Sequence, residues 1–480
     1  MHLCGGETMD TIRSYITNVR GFNTVNAEYY SRIEEWNDWY KGCFAGFHSY
    51  TQYNGTKKVE RKLYSLGMAK KVCEDHANLL MNEKVQISTG NDTFDEILEK
   101  ILKDNNFHTR ANQLVEVAYA LGTGALVEYQ NADGNPVVDY VRAQMIYPLA
   151  WDNGDITECA FASIRIIDGE EYYYINIHRL DDNKNYVIEN KLIKKTNAEK
   201  PVEVELIEVE PEVHTNSPLP RFQIIMPNIV NNIDYDCPMG ISVFANAIDE
   251  LKAVDVAYDS YVNEFVLGKK RIFVKSNILN QKITPDGEIA PVFDPNDVAF
   301  YAMPDDDKNT EPIHELNMDL RAEPHEAGLQ RFLSLLGDKC GLGSGRYKFE
   351  QGQPQTATQV ISEKSDMFQV VKKNEIILEA ALVGMTKVLA EMSKVDPESL
   401  EIKVDFDDSI VEDKDSERTR MLSLVTMGKF PLNKYLVNYE NYTQEEAEEI
   451  EQYANSQPTV ESGFGDNTEQ SGDNTEQAAG

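Results

Sequence analysis

The sequence predicts an α+β fold, mainly α, built from several packed units. Three observations carry this reading. Long stretches on either side of residues 125–222 repeat their apolar residues at helical spacing. Between 125 and 222 the pattern alternates and is cut by turn dipeptides, with no strand–helix–strand series. A glycine- and glutamine-rich loop, 341–355, then runs straight into a helical pattern that lasts to Met392.

Asn26 to Tyr40 reads as a helix crowded with Tyr29, Tyr30, Trp36, Trp39 and Tyr40, the composition of a core or interface. Lys57 to Asn82 reads as a second helix, with Leu63, Leu66, Ala69, Val72, Cys73, Ala77 and Leu80 near one face, passing into a short strand before Ile87. Thr93–Asp104 and Phe107–Leu121 are two further helices, the second stopped by Gly122-Thr123-Gly124.

Asp133-Gly134, Asn153-Gly154, Asp168-Gly169 and Asp182-Asn183 separate the strands 137–141, 159–167, 172–178 and 186–189. These read as an antiparallel meander, which argues against a doubly wound nucleotide-binding sheet.

Pro238-Met239-Gly240 opens a long helix with Phe244, Ile248, Leu251, Tyr258, Val262 and Phe265 at steps of three and four. Asp255 stands in that stripe, and a carboxylate there must be solvated or paired. Helix packing between subunits or a kinked surface helix would each account for it. Gly268 ends the helix, and Lys269-Lys270-Arg271 suits its negative end. Ile272-Phe273-Val274-Lys275 and Val298-Ala299-Phe300-Tyr301 are short strands, and Ala322–Asp338 is a helix with Pro324 in its first turn.

In the loop 341–355, Gly343 and Gly345 permit backbone angles closed to other residues. Thr356-Ala357-Thr358-Gln359 then has the spacing of a capping box, Thr356 serving the first amides and Gln359 reaching back. The helix that follows, with Val371, Leu378, Leu382, Met385 and Leu389, spans about 50 Å. Glu401–Phe406 is a strand, Arg418–Met427 a short helix, and Pro431–Tyr453 is helical and acidic. The end repeats Gly-Asp-Asn-Thr-Glu-Gln at 465–470 and 472–477, a low-complexity tail that reads as disordered.

At 480 residues, two to four packed units are expected. No window has the roughly 20 apolar residues of a membrane span, and residues 1–20 lack the apolar core of a signal peptide. The six cysteines are scattered without a C-x-x-C pair, which argues for reduced thiols and against a zinc site. A net charge of −35 excludes wrapping nucleic acid by neutralising its phosphates. Such acidity either serves solubility or makes a surface that nucleic acid passes without sticking. No phosphate loop, H-E-x-x-H or G-x-S-x-G occurs, and Asp405, Asp407 and Asp408 read as a solvated strand end. No cofactor or metal is expected, and a structural protein is favoured over an enzyme.

The order of parts is helical N-terminus, β meander, long helix, small β unit, helix, glycine loop, long helix and acidic helical C-terminus. It resembles that of the bacteriophage portal, or head-to-tail connector, proteins, most closely those of long-tailed phages of Gram-positive bacteria. The stretches that carry the likeness are 69–87, 238–274, 341–365 with Thr356-Ala357-Thr358-Gln359-Val360, and Val404-Asp405-Phe406-Asp407-Asp408-Ser409. The likeness covers the chain to about Tyr453; the duplicated tail lies outside it.

The resemblance implies the portal fold and a dodecameric ring at one capsid vertex, assembled in the host cytoplasm, with double-stranded DNA threaded through its axis. It makes residues 1–230 the wing and 240–268 and 320–340 two stem helices, with Phe244, Ile248, Leu251, Asp255, Tyr258 and Phe265 on the first. Residues 269–318 become the clip, with Ile272, Phe273, Val274, Phe300 and Tyr301, where terminase and later the head-completion adaptor dock. Residues 341–355 become a mobile tunnel loop that places Gly343, Ser344, Gly345, Arg346, Lys348, Gln351 and Gln353 in the DNA channel. Residues 356–412 are the tunnel helix and the return to the wing, 413–456 the crown and 457–480 the acidic tail. Major capsid and scaffolding proteins are further implied partners, and no membrane is. Another ring-forming virion protein, such as an adaptor or baseplate component, and the packaging motor enzyme are the competing readings.

Overall fold

The computed structural model describes residues 4–53, 55–82, 85–194, 201–206, 209–269, 271–275, 282–283, 289–290, 300–303, 313–316, 318–349, 357–406, 414–440 and 442–456. The chain divides into two compact units, Met1–Val411 and Glu412–Gly480.

The first unit begins with α1 (Cys4–Ser14) and a π-helical turn (Tyr15–Val19) that bury Ile12, Tyr15 and Ile16, elements the sequence reading did not anticipate. Helix α2 (Ala27–Tyr40) starts where Asn26 accepts from the Tyr29 amide at 2.9 Å, and it buries Tyr29, Tyr30, Ile33, Trp36 and Trp39. Next come α3 (Ala45–His48) and a hairpin of β1 (Ser49–Tyr53) and β2 (Lys58–Lys62). The helix expected over 57–82 is therefore this second strand followed by α4 (Met68–Leu80). Residues 58–62 are almost wholly exposed, so no core face sets a period there, and Gly67 at φ 70° separates the two elements.

Strand β3 (Gln86–Ser88), α5 (Asp92–Asp104, capped by Asn91) and α6 (Phe107–Leu121) follow. Gly122 ends α6 at φ 88°, and a Cβ there would lie 2.2 Å from the Gly240 carbonyl oxygen. Only a hydrogen fits where these two backbones cross.

The β region forms two sheets, not one meander. Strands β4 (Gly124–Gln130) and β5 (Pro136–Arg142) pair with β12 (Phe222–Ile225) in the order β12-β4-β5. The meander proper is β6 (Ile146–Asp152), β7 (Asp155–Ile167), β8 (Glu170–Leu180), β9 (Tyr186–Lys194) and β10 (Glu203–Val204), with β11 (Glu212–His214) also paired to β9. At Asn153-Gly154 and Asp168-Gly169 both residues have positive φ, the hairpin geometry that the dipeptides predict.

Helix α7 (Ile248–Leu267) begins later than expected from Pro238. Residues 238–244 instead pack irregularly against the end of α6: Val243 donates to Tyr119 O at 2.9 Å, and Gly240 accepts from Tyr29 Oη at 2.8 Å. Phe244 is fully buried there, outside the helix.

Strand β13 (Arg271–Lys275) lies between β16 (Phe300–Met303), to which it is parallel, and β17 (Ile313–Leu316), to which it is antiparallel; β14 (Lys282–Ile283) pairs with β15 (Ile289–Ala290). Helices α8 (Ala322–Lys339) and α9 (Ala357–Met392) follow. Strand β18 (Lys403–Asp405) returns to pair with β3.

The second unit is helical: α10 (Lys414–Thr426), α11 (Leu432–Glu440) and α12 (Gln444–Ser456). Arg418 grips Glu440 with two bonds of 2.9 and 2.7 Å. The segment 431–453, expected to be helical, forms α11 and α12, and Thr443 and Glu446 make a reciprocal cap between them. The Thr443 amide donates to Glu446, and the Glu446 amide donates to Thr443 Oγ1.

Candidate functional site: the α7–α8 pair, the glycine loop and the long helix

Helices α7 and α8 run antiparallel and are clasped at both ends. At one end Lys339 meets Glu250 at 2.9 Å. At the other, Arg321 holds Glu264 through Nε at 3.1 Å, Nη2 at 2.8 Å and its own amide at 3.0 Å. The Arg321 guanidinium and amide hold the Glu264 carboxyl down to about 2. His325 stacks on Tyr261 beside this clasp. Gly268 closes the crossing, since a Cβ there would lie 2.4 Å from Leu320 Cδ2. The β13–β17 segment is thus inserted between two helix ends held side by side.

Asp255 is buried and paired within its own subunit. It accepts from Leu66 N at 2.8 Å and Ser65 Oγ at 3.0 Å, and His48 Nε2 lies 2.9 Å away. These bonds fasten α7 to the hairpin and to the approach to α4, which neither sequence-based account of Asp255 foresaw. Of the predicted stripe on α7, Leu251 is buried, whereas Phe265 is exposed.

The glycine loop opens as a helix stop. The Leu342 amide donates to Gly337 O at 2.9 Å and the Gly341 amide to Asp338 O at 3.0 Å, with Gly341 at φ 77° and Leu342 buried. Gly341 also lies against Val370 of α9, where a Cβ would come within 3.0 Å. Gly343 is left-handed at φ 78°; Gly345 is not.

Arg346, expected to face DNA, reaches back to Asp75 of α4, with Nη2 at 2.9 Å from Oδ1. Tyr347 Oη donates to the other Asp75 oxygen at 3.0 Å, and Lys71 Nζ lies 2.8 Å from Oδ1. Burial would raise the Asp75 carboxyl, but these donors together hold it below the usual range. His76 Nε2 donates to Cys340 O at 3.0 Å, and its full burial lowers it to about 4. Gln330 of α8 donates to Tyr347 O at 3.0 Å and accepts from the Phe349 amide at 2.8 Å. Residues 341–349 are therefore anchored to α4 and α8, which corrects the expectation of a loop mobile from its first residue. Ser344 and Lys348 are exposed on it. Gln351, Gln353 and Thr356 lie outside the described residues; Gln359 lies in α9, its side chain likewise undescribed.

Helix α9, 36 residues and about 54 Å long, buries Met367, Val371, Leu378, Leu382, Met385 and Leu389. It rests on β12 at Gly384, where a Cβ would lie 2.2 Å from Gln223 Oε1. Arg221 pairs with Glu391 and donates to Val388 O at 3.3 Å, fixing the far end. In the segment between α7 and α8, Ile272, Phe273 and Val274 lie on the central strand β13, and Phe300 and Tyr301 on its parallel neighbour.

Among the described residues no group of His, Cys, Asp and Glu could hold a metal ion. His76 and His178 are enclosed in separate parts of the core, and Asp405 sits in the β18–β3 pair. No helix among the described residues is long and apolar enough to cross a membrane.

A β body, a β insert carried on a clasped helix pair and one helix of 36 residues make up the first unit. The family model described as phage portal protein, SPP1 Gp6-like, matches residues 22–459, and the chain belongs to that family. It is thus a structural virion protein of a bacteriophage, a head–tail connector that acts in DNA packaging at the capsid. Membership implies an oligomeric ring that works with DNA, capsid and terminase. No curated protein matches the chain.

Proposed function

We propose that the chain forms a dodecameric ring at one capsid vertex, the channel for DNA entry and exit. Residues 1–230 and 356–412 are its wing and tunnel helix, α7 and α8 its stem, 269–318 its clip and 413–456 its crown. Terminase docks on the clip during packaging, and the head-completion adaptor takes its place afterwards. Residues 341–355 face the DNA: Arg346 and Tyr347 fix the base of the loop, while Lys348, Gln351 and Gln353 meet the phosphate backbone transiently. Acidic walls around them repel phosphates, so that DNA slides.

One observation carries the ring reading. The inner face of the α7–α8 pair is filled by Leu251, Val254, Leu329, Leu333 and Leu336, all buried, yet Val256, Phe265, Val266, Phe332 and Leu335 remain exposed on the same helices. Helices apolar on more than one side are buried on more than one side, and neighbouring copies supply the cover.

Mass photometry and electron-microscopy class averages of the purified chain should give closed rings of about twelve copies. Monomer alone over a wide concentration range overturns the reading. Removing two or three residues from 350–355 should leave capsid assembly intact and impair packaging. Normal packaging at wild-type expression refutes the loop assignment.

A further inference from the structure

Residues 228–237 form a loop whose conformation is fixed by its own polar groups. Asn231 Oδ1 accepts from the Ile233 and Asp234 amides, both at 3.1 Å, and Asn231 Nδ2 donates to Met239 O and to Tyr29 Oη, both at 2.9 Å. Asp234 Oδ1 accepts from the Asp236 amide at 3.1 Å. The base is tied to α9, where the Asn228 amide donates to Asn374 Oδ1 at 2.8 Å. On this rigid frame Tyr235 is 80% exposed and Val230 is 70% exposed. Tyr235 follows Asp234 and precedes Asp236 in sequence, and nothing among the described residues covers its ring. A preorganised loop loses little freedom on binding.

The same chain carries a cleft of matching character. It has a volume of about 440 Å³ and lies between α6, β5 and β7. Leu114, Val141 and Ala162 make an apolar floor. Arg110 and Arg142 stand on the rim with Asp139, and all three are exposed. The Arg110 guanidinium lies over the Tyr140 ring at 5.2 Å, which props it along the rim. The volume leaves ample room for an aromatic side chain, and the rim carries a net positive charge against the two carboxylates beside Tyr235.

We propose that Tyr235 of one copy seats in the cleft between Arg110 and Arg142 of the next copy, with Asp234 and Asp236 against those arginines. The inference rests on the ring reading above. A ring uses two different surfaces of each chain, one meeting the other around the circle. Here both halves stand on one chain, complementary in charge, and the 80% exposure of Tyr235 shows that a chain does not fill its own cleft. Charge complementarity of this kind fixes register as well as attraction.

The test uses the full chain with Cys4→Ser, Cys43→Ser and Cys237→Ser as background. Tyr235→Cys and Ile164→Cys, the latter on the cleft wall, are combined and treated with a short bismaleimide. Because the contact joins unlike surfaces, the double variant should give a denaturing-gel ladder running well beyond dimer, and neither single variant should. Separately, Asp236→Arg should lower the fraction of chain in rings about tenfold, and adding Arg142→Asp should restore it. Circular dichroism unchanged from wild type shows that the variants fold.

Dimers alone, a ladder from a single variant, or full rings that ignore both charge reversals overturn the proposal while leaving the ring reading intact. A wild-type chain that forms no ring at all overturns the ring reading, and this contact with it.

Discussion

Glu128 of β4 is completely buried, and neither of its carboxyl oxygens has a hydrogen-bond partner among the described residues. Burial raises its pKa from 4.5 to about 8, against the pull of the nearby Arg221 charge and the Gln223 amide. The sign of the pH dependence follows. Below 4.5 the carboxyl is protonated in both folded and unfolded chains, and it adds no pH-dependent cost. Between 4.5 and about 8 the unfolded chain gives up a proton that the folded chain keeps, so stability falls as pH rises; above 8 the loss is complete. At 1.36 kcal/mol per pH unit, the full loss is about 5 kcal/mol, of which about 3 kcal/mol is in place at pH 7. Glu128→Gln keeps the shape and removes the titration. The variant should match wild type within about 1 kcal/mol at pH 4.5 and exceed it by about 3 kcal/mol at pH 7. Urea unfolding of both proteins at half-unit steps from pH 4.5 to 8 measures the difference. A gap that does not grow with pH, or a variant less stable throughout, refutes the assignment of a neutral buried acid at this position. The site bears on the position of α9 because Arg221, beside it, holds that helix through Glu391 and Val388.

Three further outcomes are expected. Gly122→Ala should cost more than about 3 kcal/mol or abolish soluble expression, since a Cβ would meet the Gly240 backbone and φ is 88°; near-normal thermal stability would contradict the crossing described here. Asp75→Ala should cost about 2–3 kcal/mol, below the full value for a broken buried pair because Arg346 and Lys71 are partly solvated. It should also speed tryptic cleavage after Arg346 and Lys348, and an unchanged cleavage rate would dissociate Asp75 from loop anchoring. The Arg321 clasp holds Glu264 ionised above its folded value of about 2, so the contribution is complete above the ordinary 4.5 and disappears only as pH falls through about 2. Hydrogen exchange over 261–267 should therefore stay slow at pH 4 in wild type and become fast in Arg321→Ala; equal rates would refute the clasp.

Several elements were legible because their signals are local. Asn26 and Asn91 cap the helices that follow them, Gly122 stops α6, and Asn153-Gly154 and Asp168-Gly169 turn the hairpins as their residue types require. The order of parts pointed to the portal family before any geometry was in hand. Non-local pairings were not legible. The partition into two sheets depends on β12, which pairs with a strand about a hundred residues earlier. Asp255 looked misplaced on an apolar stripe because its partners His48, Ser65 and Leu66 lie about two hundred residues away. Arg346 looked free for the same reason, since Asp75 is remote in sequence. Thr443-Gln444-Glu445-Glu446 has the capping-box spacing that starts α12, a boundary carried by local residues in the same way as the others.

The clasp at the ends of α7 and α8 also bears on how such a chain can diverge. Residues 269 to 318 leave and re-enter the molecule at one doorway, framed by Gly268, Leu320, Glu264 and Arg321. A segment attached in this way can lengthen, shorten or change its surface while the framework behind it keeps its geometry, because loop-closure cost grows only slowly with length. The arrangement makes the insert an exchangeable head on a constant handle. A change confined to the insert then leaves the helix pair undisturbed, and the four framing residues are where such a graft must be matched.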